Sequence, residues 1–74
     1  MDKRIRKQAA IYTLIKYIDE NNGSIVINNN MIKRIFNDED DIVKVEYCSG
    51  DIGLLSDVGI EILESAIFYW KERI

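Results

Sequence analysis

The stretch Ile42-Val43-Lys44-Val45-Glu46-Tyr47-Cys48-Ser49-Gly50-Asp51-Ile52-Gly53-Leu54-Leu55-Ser56-Asp57-Val58-Gly59-Ile60-Glu61-Ile62-Leu63 decides how the chain reads. Val43, Val45 and Tyr47 alternate with Lys44, Glu46 and Cys48, the period-two pattern of a half-buried strand over Ile42–Cys48. Ser49-Gly50-Asp51 carries turn chemistry, and Ile52–Leu55 returns as a partner strand. Ser56 is suited to cap a closing helix, with Asp57 near the positive end of its dipole.

Downstream, Ile60, Leu63, Ile67, Trp70 and Ile74 recur three and four residues apart and form a continuous helical seam. Val58, Ile62, Ala66 and Tyr69 make a second apolar stripe beside it, and Phe68 falls on the remaining polar strip with Glu61, Glu64, Lys71 and Glu72. A helix this apolar packs on more than one side.

Upstream, Ile11, Leu14, Ile15 and Ile18 form one stripe of a helix running from about Lys3 to Asn21. Ile5, Ala9 and Tyr12 extend its apolar surface. Asn21-Asn22-Gly23 ends it, with Gly23 suited to a left-handed position after the last turn. Ser24–Asn28 is a short β-branched run, read as a strand. Asn28, Asn29 and Asn30 offer caps for a short helix, Met31–Asn37. In that helix Ile32, Ile35 and Phe36 face inward while Lys33, Arg34 and Asn37 face out. Asp38-Glu39-Asp40-Asp41 reads as a solvated loop.

The expected fold is therefore α+β in the order α-β-α-β-β-α, a single domain over residues 1–74, with a three-stranded antiparallel sheet packed on two long helices. Ser24–Asn28 is expected to pair with one strand of the hairpin. At 74 residues, the core must be efficient or completed by a partner.

The Leu-Ser-x-x-Gly-x-x-Ile-Leu junction from Leu55 to Leu63 resembles the place where the wing of a winged-helix domain enters its closing helix. The hairpin before it, and the long first helix followed by a short strand, are also similar to that family. The resemblance covers the first 28 residues loosely and Ile42–Leu63 more closely. It implies a binding module, with a helix in the DNA major groove and a hairpin near the backbone. The chain departs from the family between Asn29 and Asp41, where one short helix replaces two. If that helix reads DNA, Asn30, Lys33, Arg34 and Asn37 are the contacting residues, joined by the basic cluster Lys3, Arg4, Arg6 and Lys7.

The chemistry of catalysis is thinly represented. There is no histidine, and Cys48, the single cysteine, can form no internal disulfide and has no histidine partner. No dinucleotide fingerprint, phosphate loop or nucleophile elbow occurs. The acidic run lacks the glycine of a calcium-binding loop. The sequence thus predicts no enzyme, metal, cofactor or small-molecule substrate. No stretch approaches the ~20 apolar residues of a membrane span. The charged start lacks an apolar signal core, so the expected setting is the cytoplasm of a cell or of an infected host.

Two functional classes follow. A net charge of −3 and the surplus apolar surface favour a protein-binding module, such as a phage or mobile-element inhibitor or a regulatory accessory protein. It would bind a partner, or a second copy, through Phe68 and the last helix, with Asp38, Glu39, Asp40 and Asp41 imitating phosphates in a basic channel. The alternative is a winged-helix-like transcription regulator, dimeric through Ile60–Ile74.

Overall fold

The computed structural model describes residues 2–73. Helix α1 (Lys3–Glu20) leads into strands β1 (Ser24–Val26), β2 (Ile32–Asn37), β3 (Val43–Tyr47) and β4 (Ile52–Leu54). A 3-10 turn, Leu55–Asp57, then leads to helix α2 (Ile60–Lys71). The fold is α+β, but the order is α-β-β-β-β-α. The strands form one antiparallel meander, β1-β2-β3-β4.

Residues 31–37 correct the sequence reading. Ile32–Asn37 is a strand, not a helix, and the sheet has four strands rather than three. The reason lies in the register. Ile32 pairs with Tyr47 and Arg34 with the next residue, Glu46, so Lys33 is an extra residue in the ladder. This β-bulge shifts the phase of the strand by one. Ile32 and Ile35, three apart, therefore both face inward, a spacing that otherwise signals a helix. The capping signal also serves another purpose. Asn29 Oδ1 accepts from the N–H groups of Met31 (2.9 Å) and Ile32 (2.7 Å), which closes the β1–β2 turn.

Both helices cover one face of the sheet. Ile25, Ile35 and Val45 are register partners on that face, and they cluster with Ala10, Leu14 and Ile18 of α1 and Leu63 and Ala66 of α2. Ile27, Ile32, Leu55 and Val58 complete the buried set. Arg6 meets Glu64 near the start of α2, and Tyr17 meets Trp70 near its end, so the helices run in the same direction. Ile11, Ile15, Ile60, Ile62, Ile67 and Trp70 line the margins of the core. Ile5, Ala9 and Tyr12 do not extend it, for all three are exposed. Residue 74, expected in the seam of the last helix, lies outside the described residues.

The helix ends follow local rules, with one surprise. Asp2 caps α1 by accepting from the Arg4 N–H at 2.8 Å. At the other end Gly23 lies at φ 98° and donates to the Ile18 carbonyl, the left-handed closure its position suggested. The cap of α2 is Gly59, not Ser56. Ser56 and Asp57 belong to the 3-10 turn, so the stretch after β4 bends once before the helix begins.

The two later hairpins share one design. The Asp41 N–H donates to the Asp38 carbonyl and the Asp38 N–H to the Ile42 carbonyl. Gly50, Tyr47 and Asp51 repeat that pair of bonds. In each loop the residue two positions before the returning strand is left-handed, Asp41 at φ 63° and Gly50 at φ 97°.

Candidate interaction surfaces

The acidic loop is ordered by its own first residue. Asp38 Oδ1 accepts from the N–H groups of Asp40 (2.9 Å) and Ile42 (3.0 Å), and Oδ2 pairs with Lys44 Nζ at 2.8 Å. The hydrogen bond from Lys44 is the main reason that the Asp38 carboxyl titrates below its usual range, with the Ile42 N–H next. Reciprocally, that bond raises the Lys44 ammonium. Asp41 accepts from the Asn37 side-chain amide. Two of the four acidic residues thus build the turn, while Glu39, Asp40 and Asp41 are exposed and, of these, only Asp41 is engaged by a side chain, that of Asn37.

The basic residues do not converge. Lys33 and Arg34 stand on the uncovered face of the sheet, both against Glu46, with Lys33 Nζ at 3.9 Å and Arg34 Nε in a short hydrogen bond. That bond from Arg34 is the chief cause of the lowered Glu46 carboxyl. The Arg34 guanidinium also lies 4.1 Å from the Phe36 ring centroid. Asn30 sits in the β1–β2 turn and Asn37 at the far end of β2, beside Asp41. Lys3, Arg4, Arg6 and Lys7 belong to the helical layer, where Arg4 is 3.8 Å from Asp2 and Arg6 is 2.7 Å from Glu64. The residues expected to read bases therefore lie on a strand and a turn, and no helix carries them.

Two apolar surfaces remain in view. On α2, Phe68 is 62% exposed and Tyr69 38%, and their rings meet edge to face at 6.3 Å. Tyr69 shares a shallow depression of about 120 Å³ with Asn29, Asn30, Met31 and Ser65. Met31 is 48% exposed, so the β1–β2 turn and α2 present one continuous patch. The open sheet face carries Val26, Ile52 and Leu54, all exposed, around the Arg34–Glu46 pair. The exposure of Phe68 is legible in the sequence because the residue stands off the seam. Met31 and the open sheet face were not, because both depend on residues 31–37 forming a strand.

Cys48 is exposed and donates to the Asn29 carbonyl at 3.3 Å, bracing the turn that carries Met31. Among the described residues no three His, Cys, Asp or Glu side chains gather as metal ligands, and no helix is long and apolar enough to cross a membrane. The chain matches no known family model, no curated protein and no solved structure.

Proposed function

We propose that this chain is a non-enzymatic protein-binding module whose contact surface is the patch of Phe68, Tyr69 and Met31. The observation that carries this reading is the exposure of the Phe68–Tyr69 ring pair beside an exposed methionine on a second element. Aromatic residues and methionine are enriched at interface centres, where a rigid ring buries much area at low entropic cost. Ordering the two rings costs little here, because they already brace each other. Glu39 and Asp40, the free charges of the acidic loop, suit a basic region on the partner and would steer association more than they add affinity. A small accessory or inhibitory protein of a phage or mobile element fits this description.

The alternative keeps the tie to winged-helix domains through the hairpin-to-helix junction and makes the chain a DNA-binding regulator. Its support is the pair Lys33 and Arg34 on an open sheet face with Phe36. Glu46 already neutralises part of that charge, so the protein reading is preferred.

The test uses three proteins: wild type, Phe68→Ser with Tyr69→Ser, and Lys33→Ala with Arg34→Ala. Each is used to capture partners from extracts of the source cell and is titrated against random duplex DNA at low salt. The module reading expects one captured protein, lost only with the Phe68 and Tyr69 changes, and no DNA binding. DNA binding that disappears with Lys33 and Arg34 selects the regulator instead.

A further inference from the structure

The two edges of the sheet are treated differently. At β1 the peptide groups of Ser24 and Val26 point away from β2, since the Ile27 N–H donates to the Lys33 carbonyl and the Asn37 N–H to the Gly23 carbonyl, which places the bonded pairs at the alternate positions. Arg73, just past the end of α2, lays its guanidinium against this edge and donates from Nη1 to the Val26 carbonyl at 3.1 Å. A cation held there satisfies the edge and repels another strand, a common defence against edge pairing.

The opposite edge, β4, has no such guard among the described residues. The Tyr47 N–H donates to the Asp51 carbonyl, which makes Tyr47/Asp51 and, two residues on, Val45/Gly53 the bonded pairs. The N–H and C=O groups of Ile52 and Leu54 therefore point outward. The strand Ile52-Gly53-Leu54 has no charge, proline or bulge. Ile52 is 50% exposed and Leu54 40%. Beyond the strand the chain leaves the edge, because Leu55 buries itself in the core.

We propose that two copies of this chain pair antiparallel through β4, on a two-fold axis at Gly53, to make a continuous eight-stranded sheet. The register is self-complementary. With Gly53 opposite its copy, Ile52 faces the partner copy's Leu54, and each couple exchanges two N–H···O=C bonds. Four hydrogen bonds then satisfy all the outward groups of Ile52 and Leu54 in both copies. The Ile–Leu couples meet on the open sheet face, where cross-strand apolar pairs stabilise a sheet. At the axis, the glycines form the close, unbonded pair, and neither has a side chain to obstruct the approach. This contact lies away from Phe68 and Tyr69, so it stands or falls independently of the partner-binding patch. Three residues a side make an interface well below the ~1,600 Å² of a standard complex, so the dimer belongs with weak, concentration-dependent associations.

The experiment measures mass by sedimentation equilibrium on the full chain, from about 1 μM to about 1 mM, the scale on which weak association is read. Wild type should pass from 8.6 kDa to twice that mass. Leu54→Pro removes one outward N–H and leaves the bonds to β3 intact, and φ at Leu54 is −84°, close to what proline adopts. It should remain monomeric with unchanged circular dichroism, whereas Phe68→Ser should dimerise like wild type. Gly53→Cys in a Cys48→Ser background provides a second measurement. The close pair brings the Cα atoms to ~4.5 Å, within disulfide range. A Cβ at Gly53 meets Tyr47 only at ordinary contact, 3.4 Å. Mild oxidation should cross-link this variant at least tenfold faster than Ser24→Cys in the same background. The proposal is overturned by a wild type that stays at 8.6 kDa throughout, by a folded Leu54→Pro variant that still dimerises, by a Phe68→Ser variant that does not, or by equal cross-linking at the two edges. If Leu54→Pro does not fold, the cross-linking rates decide.

Discussion

Replacing Ile35 and Phe36 separately by alanine tests whether residues 32–37 form a strand. In a helix both side chains face inward, and both losses are large. In the bulged strand Ile35 is fully buried between Ile25 and Val45, while Phe36 faces outward beneath Arg34. Ile35→Ala removes three buried carbons, about 2.4 kcal/mol at ~0.8 kcal/mol for each, before any cavity is counted. With the cavity left behind, a loss of about 3–4 kcal/mol is expected. Phe36→Ala loses partial burial and a cation–π contact of about 0.5–1 kcal/mol, for a total near 1.5 kcal/mol. A chain of this length has a stability of roughly 4–11 kcal/mol, so the first change is severe and the second mild. Urea unfolding followed by the fluorescence of Trp70, the only tryptophan, reads both. At about 1 kcal/mol per molar urea, the midpoint should fall by about 3–4 M for Ile35→Ala and by about 1–2 M for Phe36→Ala. If Ile35→Ala is unfolded in water, Ile35→Val takes its place, with a cost of about 1 kcal/mol. Equal losses at Ile35 and Phe36, or a larger one at Phe36, would refute the strand.

The other predictions concern the loops and the exposed ring. The lowered carboxyls of Asp38 and Glu46 stabilise the fold fully above the ordinary carboxylate range, and this is lost as pH falls through their depressed values. The raised Lys44 contributes fully below the ordinary lysine range and is lost as pH rises through its elevated value. Thermal melts across pH should therefore show a plateau between these limits, and Asp38→Asn should flatten the acid limb; an unchanged limb would remove Asp38 from that role. Gly50→Ala, at φ 97°, should cost about 1 kcal/mol in the same urea assay, and a neutral result would mean the turn relaxes. Phe68→Ser should change stability by less than ~0.5 kcal/mol, against about 2–5 kcal/mol for Leu63→Ala. A large loss at Phe68 would show that its ring supports the fold.

Much of the fold was legible, and the reason lies in periodicity. The stripe through Leu14 and Ile18 and the seam through Leu63 gave both helices, because a surface helix repeats its buried positions over several turns. The alternation of Val43, Val45 and Tyr47 gave β3 for the same reason. The segment 31–37 failed because it is too short to reveal its period and contains a bulge that counterfeits a helical one. Local chemistry then supported the wrong reading. The side chain of Asn29 does accept N–H groups from the residues after it, but a turn uses that bond as readily as a helix does. Only the neighbouring strands discriminate. Once β1 and β3 exist, the segment between them supplies the missing rung of a meander, and β-branched Ile32 and Ile35 suit that place.

The candidate site was less legible because a sequence shows charges without their partners. Asp38 to Asp41 looks like one acidic surface, yet the fold directs Asp38 to Lys44 and two backbone N–H groups, and Asp41 to Asn37. Lys33 and Arg34 look like a free basic pair, yet both meet Glu46, twelve or more positions further on, across a register that the bulge defines. Such pairing is set by strand register, which a helical reading of β2 could not supply. Phe68 needed no partner to be recognised. A ring on the polar strip of a helix is conspicuous by period alone, and among the described large apolar side chains only Tyr12 is more exposed. Exposed apolar positions on one element can be read from a sequence in this way, while patches made where elements meet, as at Met31 and Tyr69 or along β4, become visible only in the folded chain.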